Sequence, residues 1–136
     1  ASPPDIYGAL YERQTEGRVR LRGRALDRVR TEFNGRLVHT YIVNSDFGET
    51  GATRDDTENI INLSLEIIGT EFAIIFVEQE AGGFKLSFRS RCDLLANEIA
   101  GNFGGGGHKA AAGAFVDASF EEAQPKVLEA VRAAMS

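Results

Sequence analysis

Apolar residues recur along the chain at two alternating spacings, every second position and every third or fourth, which is typical of an α/β protein. Residues 36–43, 71–78 and 84–90 are rich in β-branched and aromatic residues and predict strands. A further strand is expected at 110–116, after a run of glycines. Because 71–78 is apolar throughout, we expect a central strand that is buried on both faces. The alternation in 84–90 predicts its half-buried antiparallel partner.

Helical spacing and capping residues predict helices around these strands. A short opening helix is expected over 6–11, and a second helix over 15–33, although the segment 18–22 also alternates as a strand would. A turn is expected at Asn34-Gly35. The other predicted helices are a short one over 45–51, one from Asp55 to Leu65, one capped by Asp93 and ending at Phe103, and one after the capping box Ser119-x-x-Glu122. The whole pattern predicts a single α/β domain with a mixed β-sheet flanked by helices and preceded by linker helices.

The composition is that of one globular domain, with 43% hydrophobic and 26% charged residues in a chain of 136. There is no apolar run of membrane-spanning length and no signal-peptide pattern, so we expect a cytoplasmic protein without a membrane partner. The single cysteine, Cys92, cannot form an internal disulfide, and one cysteine with two histidines makes a poor zinc set. The chain starts at Ala1 and its only methionine is Met135. We therefore expect either removal of an initiator methionine or origin in a longer protein.

The net charge of −5 is unevenly distributed along the sequence. Residues 12–36 contain eight arginines and four acidic residues, so this segment carries +4 and the rest of the chain carries −9. An acidic chain is not expected to bind nucleic acid over its whole surface, and an anionic ligand therefore requires a local site. The arginines are compatible with phosphate binding, with a solvated helix face, and with a surface that docks a partner.

Six of the 15 glycines fall within residues 101–113, and four of them are consecutive, from Gly104 to Gly107. Consecutive glycines cost conformational entropy, but they expose backbone amides that a ligand can approach closely, as in phosphate-binding loops. The adjacent His108 can donate a hydrogen bond to a phosphate, and Lys109 adds positive charge. The Walker loop and the dinucleotide-binding glycine pattern do not fit, because His108 and Lys109 stand where those motifs require glycine. The alternative is a flexible connector with an incidental histidine.

A polar row on one predicted strand is the second candidate for anion binding. Lys85, Ser87 and Arg89 alternate with apolar residues in 84–90, so they share one strand face that either binds a ligand or faces solvent. By contrast, His39 lies within a predicted strand and is expected to be a core or edge residue rather than a ligand. Cys92 has no basic partner in a nucleophile pattern and is expected to be a packing residue.

These segments carry a family resemblance. The stretch from Phe103 to Gly113 reads FGGGGHKAAAG, and Lys85 to Ser90 reads KLSFRS. With Gly51-Ala52-Thr53, Asp56-Thr57-Glu58 and the run from Glu71 to Val77, they resemble in order and spacing the DHH-associated C-terminal domain of DHH-family phosphoesterases. The resemblance is to the branch of bacterial oligoribonucleases (nanoRNases) and pAp phosphatases. It places a helical linker segment at 1–33 and the domain at 34–136.

The resemblance implies a two-domain enzyme whose DHH domain holds two manganese ions that activate water for phosphoester hydrolysis. The Asp-His-His triplet of that domain does not occur in this sequence. We therefore expect this chain to contain no catalytic residue, to bind no metal or cofactor itself, and to bind substrate without cleaving it. The implied substrate-binding residues are Arg89, Gly104, Gly105, Gly106, Gly107, His108 and Lys109.

The implied ligands are the phosphates of short RNA or of nucleotides such as pAp, and the implied protein partner is the N-terminal DHH domain of the same protein. Homodimerisation is compatible with the sequence. Within the family, an exopolyphosphatase-like module and a cyclic-dinucleotide phosphodiesterase module are alternatives. Outside it, the alternatives are a non-enzymatic nucleic-acid-binding domain and an interaction domain whose arginine-rich helix docks an acidic partner.

Overall fold

The predicted mixed sheet is present and has six strands. The computed structural model describes residues 16–57 and 60–135. The strands are β1 (Arg30–Glu32), β2 (Leu37–Ile42), β3 (Phe72–Glu78), β4 (Phe84–Ser90), β5 (Gly106–Gly107) and β6 (Ala111–Val116), in the order β1-β2-β3-β4-β6-β5. The helices are α1 (residues 16–27), α2 (Asn44–Thr50), a 3₁₀ helix (Arg54–Thr57), α3 (Ile60–Ser64), α4 (Ala96–Gly101) and α5 (Phe120–Met135).

Strand β3 lies inside the sheet, as its continuous apolar sequence predicts. It pairs in parallel with β2 and in antiparallel with β4, and its residues from Phe72 to Val77 are all buried. Strand β4 alternates between fully buried and more exposed residues. Both strand predictions are confirmed. The parallel pair requires a crossover, and α2, the 3₁₀ helix and α3 form it.

Helices cover the two faces of the sheet unequally. On one face, α4 and α5 pack on the sheet in a buried cluster that includes Phe76, Phe88 and Val127. On the other face, Leu21 of α1 and Ile61 of α3 share a buried cluster with β2 and β3. Where this second face continues over β4 and β6, the side chains of Lys85 and Phe115 are exposed. The second face is therefore open on that side, among the residues that the structure describes.

The helix expected over 15–33 is wrong beyond residue 27. Helix α1 includes 18–22, so the strand alternative for this segment is also wrong. The chain then forms β1, which pairs with β2 through Thr31 and Val38, before a turn over 33–36. Backbone pairing to β2 outweighs the helical spacing of the apolar residues here. The opening helix expected over 6–11 lies outside the described residues.

Asp93 is not the N-cap of α4, which begins at Ala96 with Leu95 in the capping position. The preceding loop is held to its neighbours instead: Ser90 Oγ donates to the carbonyl of Leu94 at 2.5 Å, and the amide of Ala96 donates to the carbonyl of Lys109 at 2.8 Å. Because these bonds hold the loop before Ala96, the helix begins at Ala96 and not directly after Asp93. The helix also ends at Gly101, before Phe103.

The last helix begins where its capping residues predict. The Ser119 hydroxyl accepts the amide of Glu122 at 3.3 Å, and α5 starts at Phe120. Pro125 lies inside α5 without ending it. Within the described part of the chain, no helix has the length and apolar character to cross a membrane.

Arginines of α1 and of the turn after it are bound by carboxylates of the same chain. Asp46, which is 1% exposed, accepts hydrogen bonds from Arg24 at 3.0 Å and from Arg28 at 2.6 and 2.8 Å. Arg18 pairs with the buried Asp56 at 3.0 Å. Burial opposes ionisation of Asp46, but its hydrogen bonds to Arg28, Val43 N–H and Arg24 lower its pKa to about 2. Arg18, Arg24 and Arg28 of the positive segment thus attach α1 to the domain.

Candidate functional site

The polar row of β4 faces the open part of the sheet. Because side chains alternate along a strand, Lys85, Ser87 and Arg89 point away from the α4 and α5 side. They lie opposite Val77, Ile75 and Ala73 of β3, which belong to the cluster under α1 and α3. Ser87 and Arg89 are half-buried and Lys85 is exposed.

This row forms one wall of a cleft of about 470 Å³. The opposite wall comes from the crossover, where the 3₁₀ helix supplies Arg54 and Thr57 and α3 supplies Asn62. Three cationic side chains therefore line the cleft, and none of the described lining residues is acidic. The nearest described carboxylate to Arg54 is that of the exposed Glu80, which lies 3.9 Å from Arg54 Nε. In a chain of net charge −5, this local excess of positive charge favours an anionic ligand.

Arg54 is held in place from several sides. Its guanidinium lies over the ring of Phe47, 4.1 Å from the centroid, and donates hydrogen bonds to the carbonyl of Glu78 and to Asn44 Oδ1. The Arg89 guanidinium donates to the carbonyl of Phe88 at 3.0 Å. An arginine that is already ordered loses less entropy when it binds an anion, so both are suited to that role.

The glycine-histidine loop lies at the edge of the same sheet, as β5 and a tight turn. His108 and Ala111 exchange backbone hydrogen bonds of 2.7 and 3.2 Å around the turn residues 109 and 110. His108 is thus paired with Ala111, and Ala111 is paired with Arg89. Residues in direct register share a face, so His108 and Arg89 lie on the same face, two strand spacings or about 10 Å apart.

The four glycines have different backbone roles. The amide of Gly104 donates to the carbonyl of Gly101 at 3.1 Å, and that of Gly105 donates to the carbonyl of Ala100 at 2.9 Å. Because His108 is in a hydrogen-bonded pair, the preceding residue Gly107 is in a non-hydrogen-bonded pair, and its N–H points to the open edge. The N–H of Gly107 therefore points away from β6 and from the end of α4, unlike those of Gly104 and Gly105.

The structure brings together most of the expected site residues. Arg89, His108 and Gly106 lie in neighbouring register positions of one sheet face. Lys109 is exposed in the turn next to His108. Gly104 and Gly105 lie at the end of α4, where they shape the loop.

Sequence reasoning missed the crossover wall of the cleft. Arg54 and Thr57 stand in a stretch that indicates only the start of a helix, and Asn62 lies in a short helix without a motif. Their position across from Arg89 depends on how the β2–β3 crossover lies over the sheet, and no local pattern carries that information. Thr57 belongs to the segment that carries the family resemblance, which is the one signal that could have pointed to it.

His39 is buried in the sheet, as expected of a core residue, whereas the packing role of Cys92 stays a prediction. His39 is 5% exposed, and its Nε2 lies 3.2 Å from a carboxylate oxygen of Glu32. Burial lowers the pKa of His39, and Glu32 only partly opposes this. Cys92 is half-buried with its Sγ 3.5 Å from Ser90 Oγ.

Comparison with known families identifies the domain. The DHHA1 domain family matches residues 34–136, which include the cleft row, the glycine-histidine loop and α5. The chain belongs to this family. The chain is also 34% identical over 114 residues to the bifunctional oligoribonuclease and PAP phosphatase NrnA of Thermus thermophilus, a match that covers 83% of this chain and 33% of that protein.

The chain also matches parts of larger solved structures. An exopolyphosphatase-related protein from Bacteroides fragilis matches with a TM-score of 0.79 and 25% identity, over 98% of this chain and 38% of that one. The pGpG-specific phosphodiesterase PggH of Vibrio cholerae matches in fold, with a TM-score of 0.58 and 13% identity, over 89% of this chain and 41% of that one. The chain thus spans between a third and two fifths of the length of these relatives.

Proposed function

We propose that this DHHA1 domain binds the phosphate end of a short oligoribonucleotide, or of a nucleotide such as pAp, for a manganese-dependent phosphoesterase. The observation that carries the proposal is the cleft, in which Arg54, Lys85 and Arg89 face one open space and the described lining residues include no carboxylate. The relationship to an oligoribonuclease and PAP phosphatase supports this substrate class.

Each residue has a defined part in this function. The planar guanidinium of Arg89 binds two oxygens of a phosphate, and the His108 imidazole donates a further hydrogen bond from across β6. The outward N–H of Gly107 is a third donor at the edge of the sheet. Arg54, on the opposite wall of the cleft, and Lys85, at the far end of the β4 row, neutralise the remaining negative charge of the ligand.

Hydrolysis belongs, on this proposal, to a DHH domain that carries the metal ligands. Residues 16–57 and 60–135 bring together no three His, Cys, Asp or Glu side chains that could hold a metal ion. We therefore assign to this chain the binding and orientation of the substrate. The metal ions would activate water in the partner domain.

Polyphosphate is the second candidate ligand. Three cations along one cleft would also bind a chain of phosphates, and the exopolyphosphatase-related structure has the same fold. The two ligand classes differ in that a nucleotide adds a ribose and a base. Competition between 5′-phosphorylated diadenylate and tripolyphosphate separates them.

Calorimetric titration of the 136-residue chain with 5′-phosphorylated diadenylate tests the proposal. A charge-assisted hydrogen bond is worth about 1.5–3 kcal/mol, so we expect His108→Ala and Arg89→Gln each to weaken binding about tenfold or more, with little change in melting temperature. Lys126→Gln is the matched control, because Lys126 is exposed on α5, on the other side of the sheet. Equal affinity in all four proteins would contradict the assignment.

A further inference from the structure

The open sheet face continues beyond the cations to an exposed aromatic ring. Phe115 of β6 is 50% exposed, which is unusual for a phenylalanine. It lies directly opposite Lys85 in the β4–β6 register, so its side chain is on the same face as Arg89. The proposed phosphate site and this ring therefore share one surface.

The β3–β4 turn supports the ring from one side. A Cβ atom at Gly83 would overlap Cζ and Cε1 of Phe115, so the ring lies directly on the glycine backbone. Gly83 has φ +75°, a conformation that also favours glycine. The turn thus fixes one side of the ring and leaves the rest exposed to solvent.

A flat row separates the ring from the proposed phosphate site. Ser87, Gly113 and Gly106 follow one another across β4, β6 and β5, and two of the three have no side chain. A Cβ atom built on Gly106 has open space around it. The row therefore forms a shallow trough with room for a ribose.

The spacing suits a nucleotide that lies along β6. Ala111, next to Arg89 and His108, is four residues from Phe115, and four residues of a strand span about 13 Å. A terminal phosphate bound by Arg89 and His108 would place its nucleoside over the glycine row. A base at the far end would reach the exposed ring and the cation of Lys85.

We propose that Phe115 is a stacking platform for a nucleobase, so that this face selects nucleotides over inorganic polyphosphate. The inference rests on the proposed phosphate site. Every base has a π-face, and stacking on an aromatic side chain therefore favours nucleic acid with little dependence on sequence. Polyphosphate has no ring and gains nothing from Phe115.

Tryptophan fluorescence provides a direct test, because the chain contains no tryptophan. In Phe115→Trp we expect 5′-phosphorylated diadenylate to quench the fluorescence and tripolyphosphate to leave it unchanged. Ile68→Trp is the control, since Ile68 is 98% exposed in the loop before β3 and belongs to neither the glycine row nor β6. Quenching in neither variant, at a ligand concentration that calorimetry shows to saturate the protein, would overturn the stacking proposal.

Affinity measurements separate this proposal from the proposed phosphate site. Phe115→Ala should weaken diadenylate binding about tenfold and leave tripolyphosphate binding unchanged, and Phe115→Leu should behave as Phe115→Ala because it keeps apolar packing on Gly83 but has no ring. Full affinity in both variants, with loss of binding in Arg89→Gln, would overturn the platform and keep the phosphate site. Unchanged binding in Arg89→Gln and His108→Ala would instead overturn the phosphate site.

Discussion

At the scale of single residues, two adjacent glycines of β5 show which part of the glycine run the fold itself requires. A Cβ atom on Gly107 would lie 2.6 Å from the Cα of Ala112, and Gly107 also has φ +146°. A Cβ atom on Gly106 would meet no other atom within 4 Å. The fold therefore explains a glycine at 107, whereas it leaves room for a side chain at 106, on the face where we propose that the substrate binds.

Alanine substitutions distinguish these two explanations. Gly107→Ala should lower the free energy of unfolding by about 1–3 kcal/mol, because the new methyl group meets backbone and the φ angle is strained. Gly106→Ala should change it by less than about 1 kcal/mol. Denaturant titration of both variants measures the difference. Equal destabilisation would show that Gly106 is also required by the fold.

At the scale of secondary structure elements, α1 is attached to α2 by a buried carboxylate that holds two guanidiniums. Asp46 lies in the first turn of α2 and accepts hydrogen bonds from Arg24 and Arg28 of α1 and the turn after it. A carboxylate with several charge-assisted hydrogen bonds stabilises the folded state only while it is ionised. The attachment of α1 should therefore depend on pH.

The pKa of Asp46 is about 2 in the folded protein, below the ordinary value of 3.8. The sign of the shift means that its contribution, about 2 kcal/mol, is fully present above pH 4–5 and is lost as the pH falls through 2. Asp46→Asn should therefore be less stable than the wild type at pH 6, with a difference that shrinks below pH 4. Urea unfolding at several pH values measures this difference. Asp117→Asn, at an exposed site after β6, is the control, and a pH-independent difference for Asp46→Asn would contradict the assignment.

Elements were predicted well where one local pattern dominates. The strands at 72–78, 84–90 and 111–116 and the start of α5 at Ser119 follow from alternation, apolar runs and a cap. The predictions for residues 28–33 and for the start of α4 were wrong. Backbone hydrogen bonds to β2 determine the first, and a backbone hydrogen bond to the glycine-histidine loop helps to determine the second. The partners lie outside the segment itself, five to nine residues away for β1 and 13 residues away for Ala96, so the pairing leaves no periodicity within the segment.

At the scale of the whole molecule, the candidate site is a product of the sheet order. The glycine-histidine motif and the row of β4 were visible in the sequence, but their shared face depends on the insertion of β6 between β4 and β5. The cleft wall formed by Arg54, Thr57 and Asn62 depends on the crossover between two parallel strands. The residue types could thus be predicted, whereas their arrangement required the fold.

The sheet face that carries Lys85 and Arg89 is open over β4 and β6. On the proposed function, a catalytic domain would reach the bound phosphate from this side. Relatives that are about two and a half times as long as this chain are consistent with such a second domain. On this account the DHHA1 domain alone binds nucleotides weakly and does not hydrolyse them. The property to measure is therefore where the nucleotide binds on the domain, rather than a rate of hydrolysis.

The most direct measurement is an amide NMR titration of the 136-residue chain with 5′-phosphorylated diadenylate. We predict chemical shift changes at Arg89, Gly106, Gly107 and His108, on the open face of the sheet, and none at Lys126 on α5. Residue-specific shifts report weak binding, so millimolar ligand is sufficient for the test. Shift changes confined to the α5 side, or no changes on the open face at millimolar ligand, would contradict the account.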